Sequence, residues 1–178
     1  METKRETAKV RRQRVNEVIL HLSRLYPLAV CGLVYRTPLE LLVAVILSAQ
    51  CTDVRVNQVT PALFSLYPDT QAFAQASRFE LEEAIRSTGF FRNKAKNIQL
   101  CCQLLLSRHG GRIPSSLSEL VELPGIGRKT ANVVLGEIYG LQGVVVDTHV
   151  KRLSRLLGLT KSEDPVKIEQ QLMKVIPG

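Results

Sequence analysis

The stretch ELPGIGRKTANVVL, residues 122–135, decides the fold class of this chain. Two glycines flank Ile126, a proline precedes them, and two cations and an apolar run follow. Glycine allows backbone torsions that are closed to other residues, so the turn at 123–127 can be very tight. A short helix before this turn and a second helix after it predict a helix–hairpin–helix.

The predicted hairpin has the features of an anion site. The N–H groups of the turn and of the start of the second helix would face outward together, which suits a phosphate. Ile126 would fix the hairpin to the core, and Arg128 would add positive charge at the rim. Such a contact reads the backbone of DNA and not its sequence. A plain turn between two helices, ended by a glycine cap, is the alternative on this motif alone.

Charge and composition favour an anionic partner. The chain has 178 residues, a net charge of +8 and an isoelectric point of about 9.6. Nucleic acid and a membrane surface are the candidates for such a basic protein. The longest apolar run, 41–47, is too short to span a membrane. The charged N-terminus METKRETAKVRRQR lacks the apolar centre of a secretion signal. The four cysteines have no zinc or iron–sulfur spacing, which favours a reduced cytoplasmic protein.

Apolar spacing along the chain predicts an all-α fold. Pro38 opens a segment that is apolar on every face and should be buried. Asp53 is expected to cap the next helix, which runs to about Leu66 with Pro61 as a kink or a break. The run 144–146 resembles a strand but is too short to build a sheet. The other predicted helices are 15–25, 39–49, 78–87, 94–108, a short helix ending at 122, 129–139, 148–157 and 165–175.

Two residues of the predicted helices have several possible roles. Lys129 is turned by about 100° from Arg128 on a helix, so both cannot serve one phosphate. Lys129 is either a solvated lysine or a group that faces something else. In VVVDTHVKRL, residues 144–153, Asp147 is placed to cap the helix that starts at Thr148. It could instead be a carboxylate held at the edge of a cleft, where it accepts a proton.

These motifs together resemble the endonuclease III family of helix–hairpin–helix DNA glycosylases/AP lyases. LPGIGRKTANVVL is followed by VDTHVKRL, as in that family. The segments LLVAVILSAQCTDVRVNQVTPALF at 41–64 and STGFFRNKAKNI at 87–98 also resemble it, in the same order. The resemblance covers the chain from about residue 15 onward.

The resemblance implies two helical domains with a cleft between them. A six-helix barrel would span 31–141 and carry the helix–hairpin–helix at about 116–139. Residues 1–30 and 142–178 would form the second, discontinuous domain, which is of the iron–sulfur type. Most of the family holds a [4Fe–4S] cluster on four closely spaced cysteines after a further helix. Cys31, Cys51, Cys101 and Cys102 match none of those positions, so we expect no cluster in this chain and a C-terminally truncated copy.

The resemblance also implies the chemistry. The family releases oxidised pyrimidines by N-glycosylase action and then cleaves 3′ to the abasic site by β-elimination, through a lysine Schiff base. Lys129 matches the nucleophile, and its amine must be neutral to attack. The positive end of the helix dipole disfavours a cation there, and partial burial in a cleft would act in the same direction. Asp147 would accept a proton or stabilise the cationic sugar. The lysine favours this bifunctional activity over that of an adenine-mismatch glycosylase.

Further residues are implied to contact the DNA. A base inside a duplex must be flipped out before it can react. Gln50 matches the residue that fills the gap and contacts the orphaned base, and Phe90 lies at an apolar wedge that is commonly a leucine. A polar helix terminus and a core aromatic are the structural alternatives. Gly125, Gly127 and Arg128 would bind phosphate. The carbonyls that match the family's site for a monovalent cation are those of Val121, Leu123 and Ile126.

The expected partner is double-stranded DNA that contains an oxidised pyrimidine or an abasic site. The protein would act as a monomer in the cytoplasm, at the nucleoid of a bacterium, without a membrane. The alternative function is a non-catalytic DNA-binding module, or an inactive fragment, that keeps the hairpin and the charge. Lys129 and Asp147 distinguish the two functions, because the enzyme needs both residues and a binding module needs neither.

Overall fold

The structure, a computed structural model, describes residues 6–176 and is built from α-helices. No β-strand occurs within that range, and 144–146 is irregular, so the all-α prediction is confirmed. A 3₁₀ helix, Arg86–Thr88, lies between α5 and α6. The α-helices are α1 (Ala8–Leu25), α2 (Pro38–Ser48), α3 (Asp53–Leu66), α4 (Thr70–Gln75), α5 (Arg78–Ala84), α6 (Phe91–His109), α7 (Leu117–Glu122), α8 (Arg128–Tyr139), α9 (Thr148–Leu156) and α10 (Pro165–Met173).

The chain divides into two compact units, one of which is Cys31–Leu141. This unit is built around α2, whose side chains are buried at every position from 41 to 47. Helices α3, α6 and α8 pack against α2, as expected for a helix that is apolar on all faces. The interpretation of this unit as a six-helix barrel stays a prediction.

Within the described part of the chain, the second unit combines 6–30 with 142–176. Its small core consists of Val146, Ile168 and Leu172. Helix α1 is tied to this unit by Arg14, whose guanidinium donates to the carbonyl of Leu157 at 2.6 Å. Among the described residues, no helix combines the length and the apolar character needed to cross a membrane.

Most helices begin where the sequence predicts, because Ser, Thr or Asp side chains accept hydrogen bonds from their first turns. The cap of α3 is an exception, since the prediction of Asp53 is wrong. Thr52 has the extended cap conformation, and its hydroxyl accepts from the N–H of Arg55 at 3.3 Å. Asp53 is the first helical residue, where a negative charge is favourable.

Several helices differ from the predicted ranges, α1 and α4 most clearly. Helix α1 begins at Ala8, because Thr7 caps it well before the first buried apolar side chain, Val15. Helix α3 ends at Leu66, as predicted, and it continues through Pro61 without a break, so that it forgoes one backbone hydrogen bond there. Helix α4 was not predicted. It has six residues, too few to show a period, but Asp69 caps it and it packs against α6.

Candidate functional site

The helix–hairpin–helix is present as α7, the turn 123–127 and α8. Ile126 is only 5% exposed, and its N–H donates to the carbonyl of Leu123 at 3.0 Å, so it fixes the turn to the core as predicted. Gly125 has a φ of +84°, which other residues rarely adopt. A Cβ at Gly125 would also lie 2.9 Å from the Cβ of Asn97 on α6. Gly125 is therefore required by the fold of the hairpin.

Gly127 differs from Gly125 in both respects. Its backbone is extended, with φ −90° and ψ 172°, so its torsions do not require glycine. A Cβ at Gly127 would meet no heavy atom within 4 Å. The prediction that both glycines supply special torsions is thus right for Gly125 and wrong for Gly127. A side chain at Gly127 would point into open space, so this position is accessible to a bound molecule.

The start of α8 also lacks a side-chain cap. Its cap residue is Gly127, which has no side-chain acceptor for the first-turn N–H groups. Among the α-helices of residues 6–176, the same is true only of α6, whose cap residue is Phe90. The first N–H groups of an α-helix have no acceptor within the helix, so an anion can bind them.

Lys129 and Arg128 occupy the first two positions of α8. Arg128 is half-buried and Lys129 is exposed. Partial burial of Lys129 in a cleft stays a prediction. The core-facing side of α8 is the one that carries Ala131 and Val134, and Lys129 does not lie among these buried side chains.

Asp147 caps α9, as one of its two sequence readings predicts. One carboxylate oxygen, Oδ1, accepts from the N–H of Val150 at 2.7 Å, and the residue is half-buried. Cap formation uses one oxygen and fixes the direction of the other. Lys129 and Asp147 belong to different units of the chain.

Gln50 and Phe90 share an unusual backbone conformation. They are the non-glycine residues with positive φ among residues 6–176, at +53° and +48° respectively. Both are exposed, and Phe90 is 66% exposed, so the core-aromatic reading of Phe90 is wrong. The neighbouring Phe91 is the one that packs against the core. Such strain persists only where the surrounding structure enforces it, and it clusters at functional sites.

Sequence reasoning missed Lys94, which is 4% exposed. Its Nζ donates to the carbonyls of Leu47 and Thr88, at 2.7 and 2.8 Å. The spacing of the buried residues along α6 could have revealed that Lys94 is buried. Lys94 continues the buried stripe formed by Ile98, Cys101 and Leu105 back by one helical turn.

A comparison with protein families now identifies the chain. Residues 43–178 match the model of the HhH-GPD superfamily base excision DNA repair protein. Endonuclease III of Synechocystis sp. is 60% identical over 168 residues, which are 94% of this chain and 77% of that protein. The chain belongs to the endonuclease III family. Endonuclease III of Bacillus subtilis is 46% identical over 88% of this chain and 72% of its own length.

Solved structures agree with this assignment. A trapped endonuclease III–DNA covalent intermediate superimposes with a TM-score of 0.88 at 45% identity, over 93% of this chain and 78% of that one. A thermostable thymine-DNA glycosylase, 18% identical, shares the fold with a TM-score of 0.81 over 97% of this chain and 82% of its own. This chain is therefore an enzyme of base-excision DNA repair, a DNA glycosylase/AP lyase.

The endonuclease III family generally carries a [4Fe–4S] cluster, but the cysteines described here do not fit one. Cys101 and Cys102 are buried in the core of the Cys31–Leu141 unit, and burial raises the pKa of the Cys101 thiol to about 12. A cluster needs thiolates, which such an environment disfavours. Cys31 and Cys51 lie at other points of that unit, and residues 6–176 contain no group of three His, Cys, Asp or Glu side chains that could hold a metal ion.

Proposed function

We propose that this chain releases oxidised pyrimidines from duplex DNA and then cleaves the strand 3′ to the abasic site. The observation that carries the proposal is the position of Lys129. It is an exposed lysine in the first turn of α8, directly after a hairpin whose helix start has no side-chain cap. An amine beside a phosphate-binding loop can reach the sugar of a bound nucleotide.

The proposed reaction uses the Lys129 amine as the nucleophile. The neutral amine attacks C1′, the glycosidic bond breaks, and the base leaves with its electron pair. Ring opening and loss of the amine proton give the Schiff base. Removal of a C2′ proton then expels the 3′ phosphate and breaks the C3′–O bond. Asp147 would accept a proton or stabilise the cationic sugar, which requires its carboxylate to reach the same nucleotide.

The hairpin would hold the DNA backbone. The open space at Gly127 would let a phosphate oxygen approach the N–H groups at the start of α8, with Arg128 at the rim. A monovalent cation could bridge to the same phosphate. The carbonyls proposed for it are those of Val121, Leu123 and Ile126.

Gln50 and Phe90 would fill the space that the flipped nucleotide leaves. Both side chains are exposed on strained loops of one unit, as insertion into a base stack requires. An aromatic ring at position 90 can stack between bases.

The substrate would be found in the cytoplasm with the chromosome, and we propose that the enzyme acts there as a monomer.

Borohydride trapping tests this proposal directly. The chain would be incubated with a duplex that contains one abasic site, in the presence of sodium borohydride. We expect a covalent protein–DNA adduct, since borohydride reduces a Schiff base to a stable amine. Tight binding without any adduct would instead support the non-catalytic DNA-binding module.

Alanine at the two hairpin glycines should separate folding from DNA binding. Gly127→Ala should leave the melting temperature unchanged, because its Cβ would point into open space. It should weaken binding to all DNA sequences alike, by roughly tenfold, if it costs one hydrogen bond to a charged phosphate. Gly125→Ala should instead destabilise the fold by about 1–3 kcal/mol, because of its positive φ. Thermal melts and binding titrations measure both effects, and a reversal of the two would contradict these roles.

Gln50→Ala should impair duplex substrates selectively. Nonspecific binding should stay near normal, while processing of an abasic site in duplex should slow, because the gap beside the orphaned base is no longer filled. Strand cleavage would be timed on matched duplex and single-stranded substrates. Gln58→Ala, at an exposed glutamine of α3, is the control. Equal losses on both substrates would argue against gap filling.

A further inference from the structure

Lys94 is a buried lysine whose amine joins two separate elements. Its Nζ donates at 2.7 Å to the carbonyl of Leu47, in the last turn of α2. It donates at 2.8 Å to the carbonyl of Thr88, at the end of the 3₁₀ helix. A buried amine is costly unless its hydrogen bonds are satisfied, so a lysine is a poor choice for filling space alone.

Each carbonyl lies just before one of the strained, exposed residues. Leu47 is three positions before Gln50, and Thr88 is two positions before Phe90. Lys94 also contacts the second loop through its backbone, since its N–H donates to the carbonyl of Phe90 at 3.1 Å. Lys94 therefore contacts the residues that precede both loops.

The strain at these loops needs a structural cause. Gln50 and Phe90 hold positive φ values without being glycine, and neither side chain is buried enough to hold its own backbone. Residues in such conformations persist only when their surroundings over-determine them. The amine of Lys94 holds the chain three positions before Gln50 and two positions before Phe90, which supplies that constraint.

We propose that Lys94 is a positioning residue that holds the Gln50 loop (49–52) and the Phe90 loop (89–90) in a fixed mutual register, so that both side chains enter the DNA stack together. This inference rests on the proposed function, because it concerns how the gap-filling side chains are presented. Lys94 is buried and contacts no substrate itself. Burial lowers the pKa of Lys94 and the nearby Cys51 opposes this shift, but the amine can donate to both carbonyls in either protonation state.

The first test compares Lys94→Met with Lys96→Met. Methionine keeps the length of the chain but donates no hydrogen bond, and Lys96 is an exposed lysine two positions along α6. Lys94→Met should slow cleavage of an abasic duplex by about tenfold to a hundredfold, since a misplacement of about 1 Å can cost that much. Cleavage of a single-stranded abasic oligonucleotide should be nearly unchanged, as should both activities of Lys96→Met. Equal losses on the two substrates would mean a purely structural role and would overturn the proposal.

A second test needs no catalysis, so it can fail independently of the proposed function. A duplex would carry a tetrahydrofuran abasic analogue opposite 2-aminopurine, whose fluorescence rises when its stacking is disturbed. At saturating protein, Lys94→Met should give a smaller rise than the unmodified chain and Lys96→Met. An undiminished rise would overturn the proposal, whether or not a borohydride adduct forms at Lys129.

The effects of substituting Lys94 and the two loop residues should not be additive. If Lys94 acts through both loops, adding Lys94→Met to the Gln50→Ala/Phe90→Ala double variant should slow duplex cleavage little further. Additive losses would overturn the proposal. Should Lys94→Met fail to fold, Lys94→Gln, which keeps one donor group, takes its place in all three experiments with the same criteria.

Discussion

Lys129→Gln should abolish the borohydride-trapped adduct with abasic DNA while DNA binding is retained. Glutamine has a similar length and remains polar, but its amide nitrogen cannot form a Schiff base. Because Lys129 is exposed and belongs to no core cluster, the substitution should leave the melting temperature unchanged. Denaturing gels measure the adduct, and a titration with an uncleavable abasic analogue measures binding.

Lys167→Gln provides the matched control for this loss. Lys167 is also an exposed lysine in the first turn of a helix, α10. Its replacement should leave the adduct yield as it is in the unmodified chain. Undiminished trapping by Lys129→Gln would assign the nucleophile to another amine and would end the proposed mechanism.

Asp147→Asn should slow base release by about a hundredfold or more, within the range that a positioned acid or base contributes. This substitution removes the negative charge of the side chain but can keep its role as a helix cap. Asparagine caps a helix about as well as aspartate, so the hydrogen bond to the Val150 N–H can be retained. We expect binding and melting temperature to stay close to those of the unmodified chain in single-turnover and thermal measurements.

Asp164→Asn tests whether the loss at Asp147 is specific. Asp164 caps α10 in the same way, by accepting from the N–H groups of Val166 and Lys167. It should show neither a rate defect nor a large loss of stability. If Asp147→Asn lowers the melting temperature without a specific rate defect, the capping role accounts for the residue fully.

The sequence was sufficient for the elements that have a strong local pattern. The apolar run predicts a buried helix at α2, and the glycine turn predicts a tight connection into α8; both are present. Short or polar segments were harder to predict from the sequence. Helix α4 has two buried apolar residues, Phe73 and Ala74, within six, which shows no period. Thr52 and Asp53 are both good capping residues, and only their backbone torsions decide between them.

The candidate site was predictable only in part, because several of its features depend on tertiary structure. The sequence cannot show that Gly125 packs against Asn97 while Gly127 faces open space. It also cannot give the sign of φ at Gln50 or Phe90, since ordinary side chains disfavour positive values. Lys94 was missed because lysine is almost never fully buried unless it is paired.

Helix α6 sets a fixed distance between two parts of the candidate DNA-binding surface. Lys94, which binds the chain before both loops, and Asn97, which lies against Gly125, are three residues apart on it, about 4.5 Å along the axis. A duplex gripped at the hairpin and wedged at the loops would therefore meet two points whose separation the protein can hardly alter. The DNA would have to supply the deformation, so stiff sequence contexts should be repaired more slowly than flexible ones. A single residue inserted between positions 94 and 97 would turn one contact about 100° away from the other, which makes this short piece of helix intolerant of changes in length.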